Sequence, residues 1–339
     1  MSIDVTPQSE ADRSRRTLPS RPPPGRQAQA QQRRQSGAGW WLAQVRAQPL
    51  AAFGAALVLL WVLIAIFAPL IAPYSFKHGD FSSLLAPPSP RHIFGTDNYG
   101  RDVLSRVLMG SRTVLLLAVL STLASLVCGT IVALFAGYYG GIVDEVLMRC
   151  ADAAMALPAI LLGLLILAMV GPSNVGLFVA TVIVFTPLVA RVVRSAVLPL
   201  VGREFIAAAR LRGEHGPSIM LRELVPNLLG VLAVEGSIRV GYAIFLIASL
   251  GYLGVGVRPP TPDWGVMVSD GQQFALQAPW MVIFPALAIS SLVIGINLVS
   301  DGVKQLVTAL EQRRGDTAPV NLDRVAEGPA ATDLEQSAS

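Results

Sequence analysis

The chain has 339 residues, of which 53% are apolar and only 14% charged, with a formal net charge of +4. Soluble domains carry roughly 25% charged residues. The few charges are also clustered rather than mixed, which excludes an ordinary soluble domain and points to a membrane protein.

In chain order, residues 1–48 form a basic tail that is expected to be disordered. Met1 to Pro49 carries eight Arg, three acids and no Lys. Its triple proline (Pro22 to Pro24) and Gln-rich stretch cannot bury enough apolar surface to offset ordering entropy. Trp40 and Trp41 beside Arg46 read as interfacial anchors. The apolar run that follows begins too late and is too long for a secretory signal. Residues 49–73 form the first span, with no charge from Leu50 to Ala72. Residues 74–112 form an external segment, in which Asp97 to Arg112 reads as an amphipathic helix capped by Thr96, with Asp97–Arg101 and Asp102–Arg106 at i,i+4. That helix is read equally as a surface helix on the membrane or as a docking site for an outer protein.

Residues 113–304 form the membrane core. Charge-free runs cover Thr113 to Ile142, Ala153 to Ala190 and Gly271 to Ser300, and about 20 apolar residues cross the hydrocarbon. Gly171-Pro172-Ser173-Asn174 breaks the middle run into two spans, the second of them short (Val175–Ala190). Asn227 to Val257 is a further span interrupted only by Glu235 and Arg239. The expected fold is therefore all-α, polytopic, with six transmembrane helices. Gly137 to Gly141 reads as a turn at the membrane edge. Pro259 to Pro262 with Trp264 and Trp280 suggests a stiff outer loop capped by interfacial aromatics. Residues 305–339 form a C-terminal tail. Cys128 and Cys150 are the two cysteines; lacking metal-type companions, they read as small buried residues.

Orientation follows the arginines. By the positive-inside rule, the tail and the Arg-rich loop around 191–222 are cytoplasmic, and six spans return the C-terminus to the same side. Five basic residues in Tyr74 to Arg112, placed outside, fit that rule badly, although Asp80, Asp97 and Asp102 offset them.

Residues 203–227 are polar and Arg-bearing yet lie between two spans, so they must project into water. Glu204 to Arg212 has strong helix formers, with acid first and base last. Gly213, followed by Gly216-Pro217, ends that helix. Ser218 to Leu224 is read as restarting it until Pro226, where the next span begins. Such a short helix can dock into a groove on a soluble partner; the alternative is a solvated connector. Glu235 and Arg239 share a helix face and can pair, either as a structural ion pair or as a polar lining of a translocation path. A phosphate-gripping loop needs Gly before Lys and Ser or Thr; the two lysines, Lys77 and Lys304, follow Phe and Val. His78, His92 and His215 have no catalytic partner in the sequence. No enzyme, metal site, cofactor site or nucleic-acid partner is expected.

Arg203-Glu204-Phe205-Ile206-Ala207-Ala208-Ala209-Arg210, then Gly213, then Pro226-Asn227, resembles the EAA loop of binding-protein-dependent ABC importer permeases. Phe94 to Asp97 with Gly100 to Val103, Leu253 to Val257 with Pro259 to Pro262, and Asn297 through Gly302 point the same way. In order over about residues 46–312, they make the chain similar to the second, C-type permease subunit of the dipeptide, oligopeptide and nickel group. The resemblance implies a type I ABC importer permease fold in the bacterial cytoplasmic membrane, surrounded by lipid. It implies a second homologous permease, two ATP-binding subunits and an extracytoplasmic binding protein as partners. The coupling residues would be Glu204, Ala208, Ala209, Arg210, Gly213 and Pro226, and the path residues Glu235 and Arg239. Di- or oligopeptides are the expected cargo; nickel or another small solute, or a stand-alone secondary transporter, are the alternatives. Two positions depart from the family: its loop acid would fall on Ala207, and a frequent Glu on Ile247.

Overall fold

A computed structural model describes residues 48–316, with side chains to residue 310; the expected basic tail with its Trp40 and Trp41 anchors, and the C-terminal tail beyond 316, lie outside the described residues. The described residues are helical apart from turns and one isolated bridge between Thr96 and Asp102. We number the helices α1 (Pro49–Ile71), α2 (Val103–Tyr139), α3 (Gly141–Met155), α4 (Ala159–Val170), α5 (Asn174–Val201), α6 (Glu204–Leu211), α7 (Gly216–Val255), α8 (Trp264–Gln272) and α9 (Trp280–Asp316). Among the described residues five helices (α1, α2, α5, α7 and α9) are long and apolar enough to cross a membrane, or six if α3 and α4, bent by 92°, form one span.

The bend follows from Pro158, because the residue before a proline is pushed out of helical geometry. The break at 171–174 falls between α4 and α5: Gly171 takes φ 94° and Ser173 caps α5 by accepting from the Gly176 N–H. Span boundaries differ elsewhere. The span expected to end at Ala190 runs on to Val201, because Arg191 and Arg194 pair with Asp152 and Asp144 on α3. The C-terminal helix continues past 304 to Asp316.

Hydrophobic burial does little to join helices within lipid, so close backbone approach and interhelical contacts must do it. Here α2 and α5 pack through small residues. A Cβ on Gly129 would come within 2.6 Å of Val189, and one on Gly137 within 2.6 Å of Val197. Gly54 on α1 sits against Leu298 on α9, where a Cβ would lie 2.5 Å from the Leu298 Cβ. Trp61 on α1 donates to Ser291 Oγ at 3.0 Å. Ser121, Ser125 and Thr181, buried between helices, donate to carbonyls one turn back in their own helices, at 2.6–2.7 Å.

Residues 97–112 do not form the expected surface helix. No helix starts at Asp97: α2 begins at Val103, its N-cap is Asp102 rather than Thr96, and Val103, Ser105, Arg106 and Val107 are buried. Asp97 holds Arg101 across a turn, with Nε to Oδ2 at 2.6 Å, and Arg106 lies 3.7 Å from the same carboxylate instead of pairing with Asp102. Asp102 instead binds His92 Nδ1 at 3.0 Å, so His92 does have a partner, a structural one. Trp264 is not interfacial either. It is fully buried, donates to the Val107 carbonyl at 2.9 Å, and meets Trp61 edge-on at 5.0 Å. Asp263, just before it, caps α8 through the Gly265 and Val266 N–H groups. Burial pushes its carboxyl up, while backbone N–H groups oppose the shift. Cys128 and Cys150, expected to be buried, are exposed on the chain's surface, as apolar side chains in spans are free to be.

Trp264→Ala removes a packed ring and its hydrogen bond together. It should cost about 3–5 kcal/mol, read as a lowered unfolding midpoint of the purified protein in detergent, whereas Trp264→Phe should recover more than half of the loss.

Candidate functional site

The two ends of the bundle differ in kind. One gathers residues 72–102, the start of α2, α8 and the start of α9, where Trp280 donates to the Thr96 carbonyl at 3.0 Å. The other gathers the ends of α2 and α5 with α6 and the start of α7. There Ile206, Ala209, Ile219, Met220 and Leu224 are buried against Ala133, Leu134, Val189, Val193 and Val197, a second apolar core separate from the main one.

The 203–227 loop is therefore folded rather than a loose connector. Its first helix, α6, has Glu204 in the first turn and Arg210 in the last, matching the helix dipole. It ends in a Schellman turn: Gly213 takes φ 76°, its N–H bonds the Arg210 carbonyl at 3.0 Å, and the Glu214 N–H bonds the Ala209 carbonyl at 3.2 Å. Nothing lies within 4 Å of the place a Gly213 Cβ would occupy, so glycine is required by backbone conformation and not by crowding. Arg212 reaches forward to Glu214 at 2.7 Å and lies 3.8 Å from Glu223, bracing the turn.

The chain re-enters the bundle without the break expected at Pro226. Helix α7 starts at Gly216 and runs through Pro226, because Met220–Leu224 widens into a π turn. Proline lacks the N–H that an α turn needs. The wider turn lets the Val225 N–H bond the Met220 carbonyl five residues back, while Asn227 Nδ2 donates to the Glu223 carbonyl at 2.6 Å.

The sequence-selected loop residues separate into two faces. Ala209 is buried, while Glu204, Ala208 and Arg210 are exposed and Pro226 is exposed farther along. Glu204, Ala207, Ala208 and Leu211 form one exposed stripe, and Leu211 is 90% exposed. Arg210 does more than face outward. Its guanidinium lies 4.9 Å from the Tyr138 ring centre at the end of α2. Gly216 packs beneath Tyr138 and Tyr139, a contact with no sequence signal beyond the tyrosine pair. Ile247, where many family members carry Glu, is fully buried in the main apolar core.

Glu235 and Arg239 lie far from this stripe, in the interior of α7. Arg239 donates to Glu235 at 2.6 Å, Glu235 is buried, and the guanidinium is flanked by Phe185 and Tyr242 at 5.9 and 5.8 Å. The pair satisfies itself.

Residues 129–313 match the family described as binding-protein-dependent transport system inner membrane component, and residues 40–88 match the N-terminal TM domain of oligopeptide transport permease C. The chain belongs to the binding-protein-dependent transport permeases. It is 39% identical over 261 residues to the dipeptide transport system permease protein DppC of Alkalihalophilus pseudofirmus, covering 77% of this chain and 86% of that one. It is 38% identical over 248 residues to the glutathione transport system permease protein GsiD of Pectobacterium atrosepticum, covering 73% and 82%. It is 37% identical over 257 residues to the di/tripeptide transport system permease protein DppC of Pseudomonas aeruginosa, covering 74% and 85%. Among solved structures, the MetNI methionine ABC transporter in an inward facing conformation is similar at TM-score 0.49 and 20% identity, over 60% of this permease and 97% of that chain. The described residues are helical, and the chain belongs to the permease family that the four motifs implied.

Removing one partner of a buried ion pair strands the other charge. Glu235→Leu alone should destabilise the permease by about 3–5 kcal/mol, and Glu235→Leu with Arg239→Met should recover most of that loss. Uptake that survives in the double variant would mark the pair as structural; uptake lost at normal stability and assembly would mark it as path lining.

Proposed function

We propose that this permease is one of two membrane subunits of an ATP-driven importer for di- or oligopeptides in the bacterial cytoplasmic membrane. A second homologous permease completes the path, two ATP-binding subunits supply the energy, and an extracytoplasmic binding protein delivers the cargo. Both termini lie in the cytoplasm, with 203–227 on that side and 72–102 outside.

The observation that carries this reading is the two-faced α6. One face is locked into the bundle by Ile206 and Ala209, and the other presents Glu204, Ala208 and an almost bare Leu211 to solvent. A short helix with a free apolar knob, held rigidly by a Schellman turn, suits insertion into a groove on a soluble domain. A solvated connector needs neither the buried face nor the turn. With Ala207 in place of the family's acid, docking rests on apolar contact from Ala207, Ala208 and Leu211, with Glu204 one turn away as the acid on that face.

The peptide cargo is supported by the relatives, whose names specify dipeptides, di/tripeptides and glutathione. A stand-alone secondary transporter would need an embedded acid free to bind an ion, and Glu235 is committed to Arg239. ATP hydrolysis belongs on the partners, because neither lysine follows a phosphate-binding glycine loop.

Leu211→Glu places a charge on the free face without touching the buried one. It should abolish uptake and co-purification of the ATP-binding subunits, at normal membrane abundance. Gly213→Val should also abolish uptake, since a side chain at positive φ costs about 1–2 kcal/mol and shifts α6. Normal transport with ATP-binding subunits attached in both variants would return the loop to a connector. In a background without Cys128 and Cys150, Leu276→Cys should react with an impermeant thiol reagent from outside, and Leu211→Cys only after permeabilisation. The reverse pattern would invert the topology.

A further inference from the structure

Between α3 and α5 lies a groove of about 360 Å³ that the coupling loop does not use. It is lined by Asp144, Glu145, Arg149, Asp152, Arg191 and Arg194, whose formal charges cancel. The pairs in it differ in kind. Arg194 grips both oxygens of Asp144, which ties α3 to α5. Arg149–Glu145 and Arg191–Asp152 are loose, at 3.7 Å, and Arg149 and Arg191 are 78% and 67% exposed. Exposed pairs of that sort contribute only about 0–1 kcal/mol in proteins generally. They exchange one partner for a ligand's charge at little cost.

The groove's place in the fold is also informative. Helix α5 carries no charge from Asn174 to Ala190, which is about 25 Å of helix at 1.5 Å per residue. Arg191 and Arg194 follow at once, so the groove opens where the apolar span ends, on the side of α6. On α3, Glu145, Arg149 and Asp152 recur at i, i+4 and i+7, placing acid, base and acid along one face at axial steps of about 6 and 4.5 Å. An extended peptide advances about 3.3–3.6 Å per residue, so the charged ends of a di- or tripeptide stand roughly 7–10 Å apart.

We propose that this groove is a subsite for the zwitterionic backbone of a short peptide at the cytoplasmic mouth of the path. Arg149 and Arg191 take the carboxylate, and Glu145, one turn from Arg149, takes the ammonium, while Asp152 holds Arg191 in place. A groove of zero net charge with both signs available suits a zwitterion, whereas a purely anionic group would leave its free carboxylates unmatched. This inference rests on the peptide-import reading above.

The test uses the complete transporter, assembled with its partner subunits, and alanyl-alanine as the probe. Binding to the nucleotide-free complex is measured by equilibrium dialysis, and uptake in proteoliposomes. The variants are Arg149→Gln with Arg191→Gln, and Glu145→Gln with Asp152→Asn; Asp144 and Arg194 stay, so α3 remains tied to α5. Each pair should leave assembly at wild-type yield and weaken alanyl-alanine binding roughly tenfold, the effect of losing a charged hydrogen bond. A dipeptide blocked at both ends should bind wild type and variants alike. Unchanged alanyl-alanine affinity in both variants would overturn the proposal. So would loss of the second permease on purification, which would make the groove a subunit contact. A wild-type transporter that takes up no dipeptide would remove the peptide reading, and this subsite with it. Normal wild-type uptake with unaltered variants would remove the subsite alone.

Discussion

A single helix, α2, ties the two ends of this protein together, and the rest of the structure depends on its packing. At 37 residues it is about 55 Å long, well beyond the roughly 30 Å of hydrocarbon. Its first turn is capped by Asp102, which also holds His92 and so organises residues 72–102. Its last turn supplies Tyr138 and Tyr139, on which Arg210 and Gly216 rest. The 203–227 loop and residues 72–102 lie at the two ends of the bundle. Each is fixed to an opposite end of one rod.

Lipid imposes the second constraint, that buried polar groups find partners inside the protein. The chain meets it mostly locally. Ser121, Ser125 and Thr181 return their hydroxyl protons to their own helices, and Arg239 spends its charge on Glu235 one turn away. The π turn at Met220–Leu224 meets the same demand for the backbone, carrying α7 past a proline without leaving the preceding N–H unbonded. The charged contact of Arg194 with Asp144 occurs where a helix emerges from the apolar stretch. Apart from the self-paired Glu235 and Arg239, these charges are concentrated at the ends of the bundle.

Most of the span pattern was legible in the sequence because lipid crossing depends on a run of uncharged residues, which is a one-dimensional property. The turn at 171–174 and the left-handed Gly213 were legible for a similar reason: glycine and proline restrict the backbone locally. What failed depended on partners distant in sequence. The charge-free criterion ended the fourth span at Ala190, since nothing near Arg191 announces that Asp152 will receive it. Helical spacing put Asp97 and Asp102 on one surface helix, whereas Gly95 and Gly100, both at positive φ, turn the chain so that Asp102 begins the helix instead. Trp264 read as an interfacial belt residue because its burial is created by α1 and α2, far away in the chain. In the candidate site, the identity of the loop residues was visible, but not which of them face inward. Ala208 and Ala209 are chemically the same, and only the packing of α2, α5 and α7 separates them.

The two glycine notches on α2 have a mechanical implication. Gly129 and Gly137 are eight residues apart, as are Val189 and Val197, the side chains that fill them on the parallel α5. Equal pitch on both helices makes the contact a matched two-tooth rack. Sliding one helix along the other would lift both valines from their seats together, with no intermediate offset at which one tooth still engages. Such seating favours movement of the two helices together over sliding between them. The joints that lack such teeth are the 92° elbow at Pro158, the widened turn of α7 and the connection through Gly213.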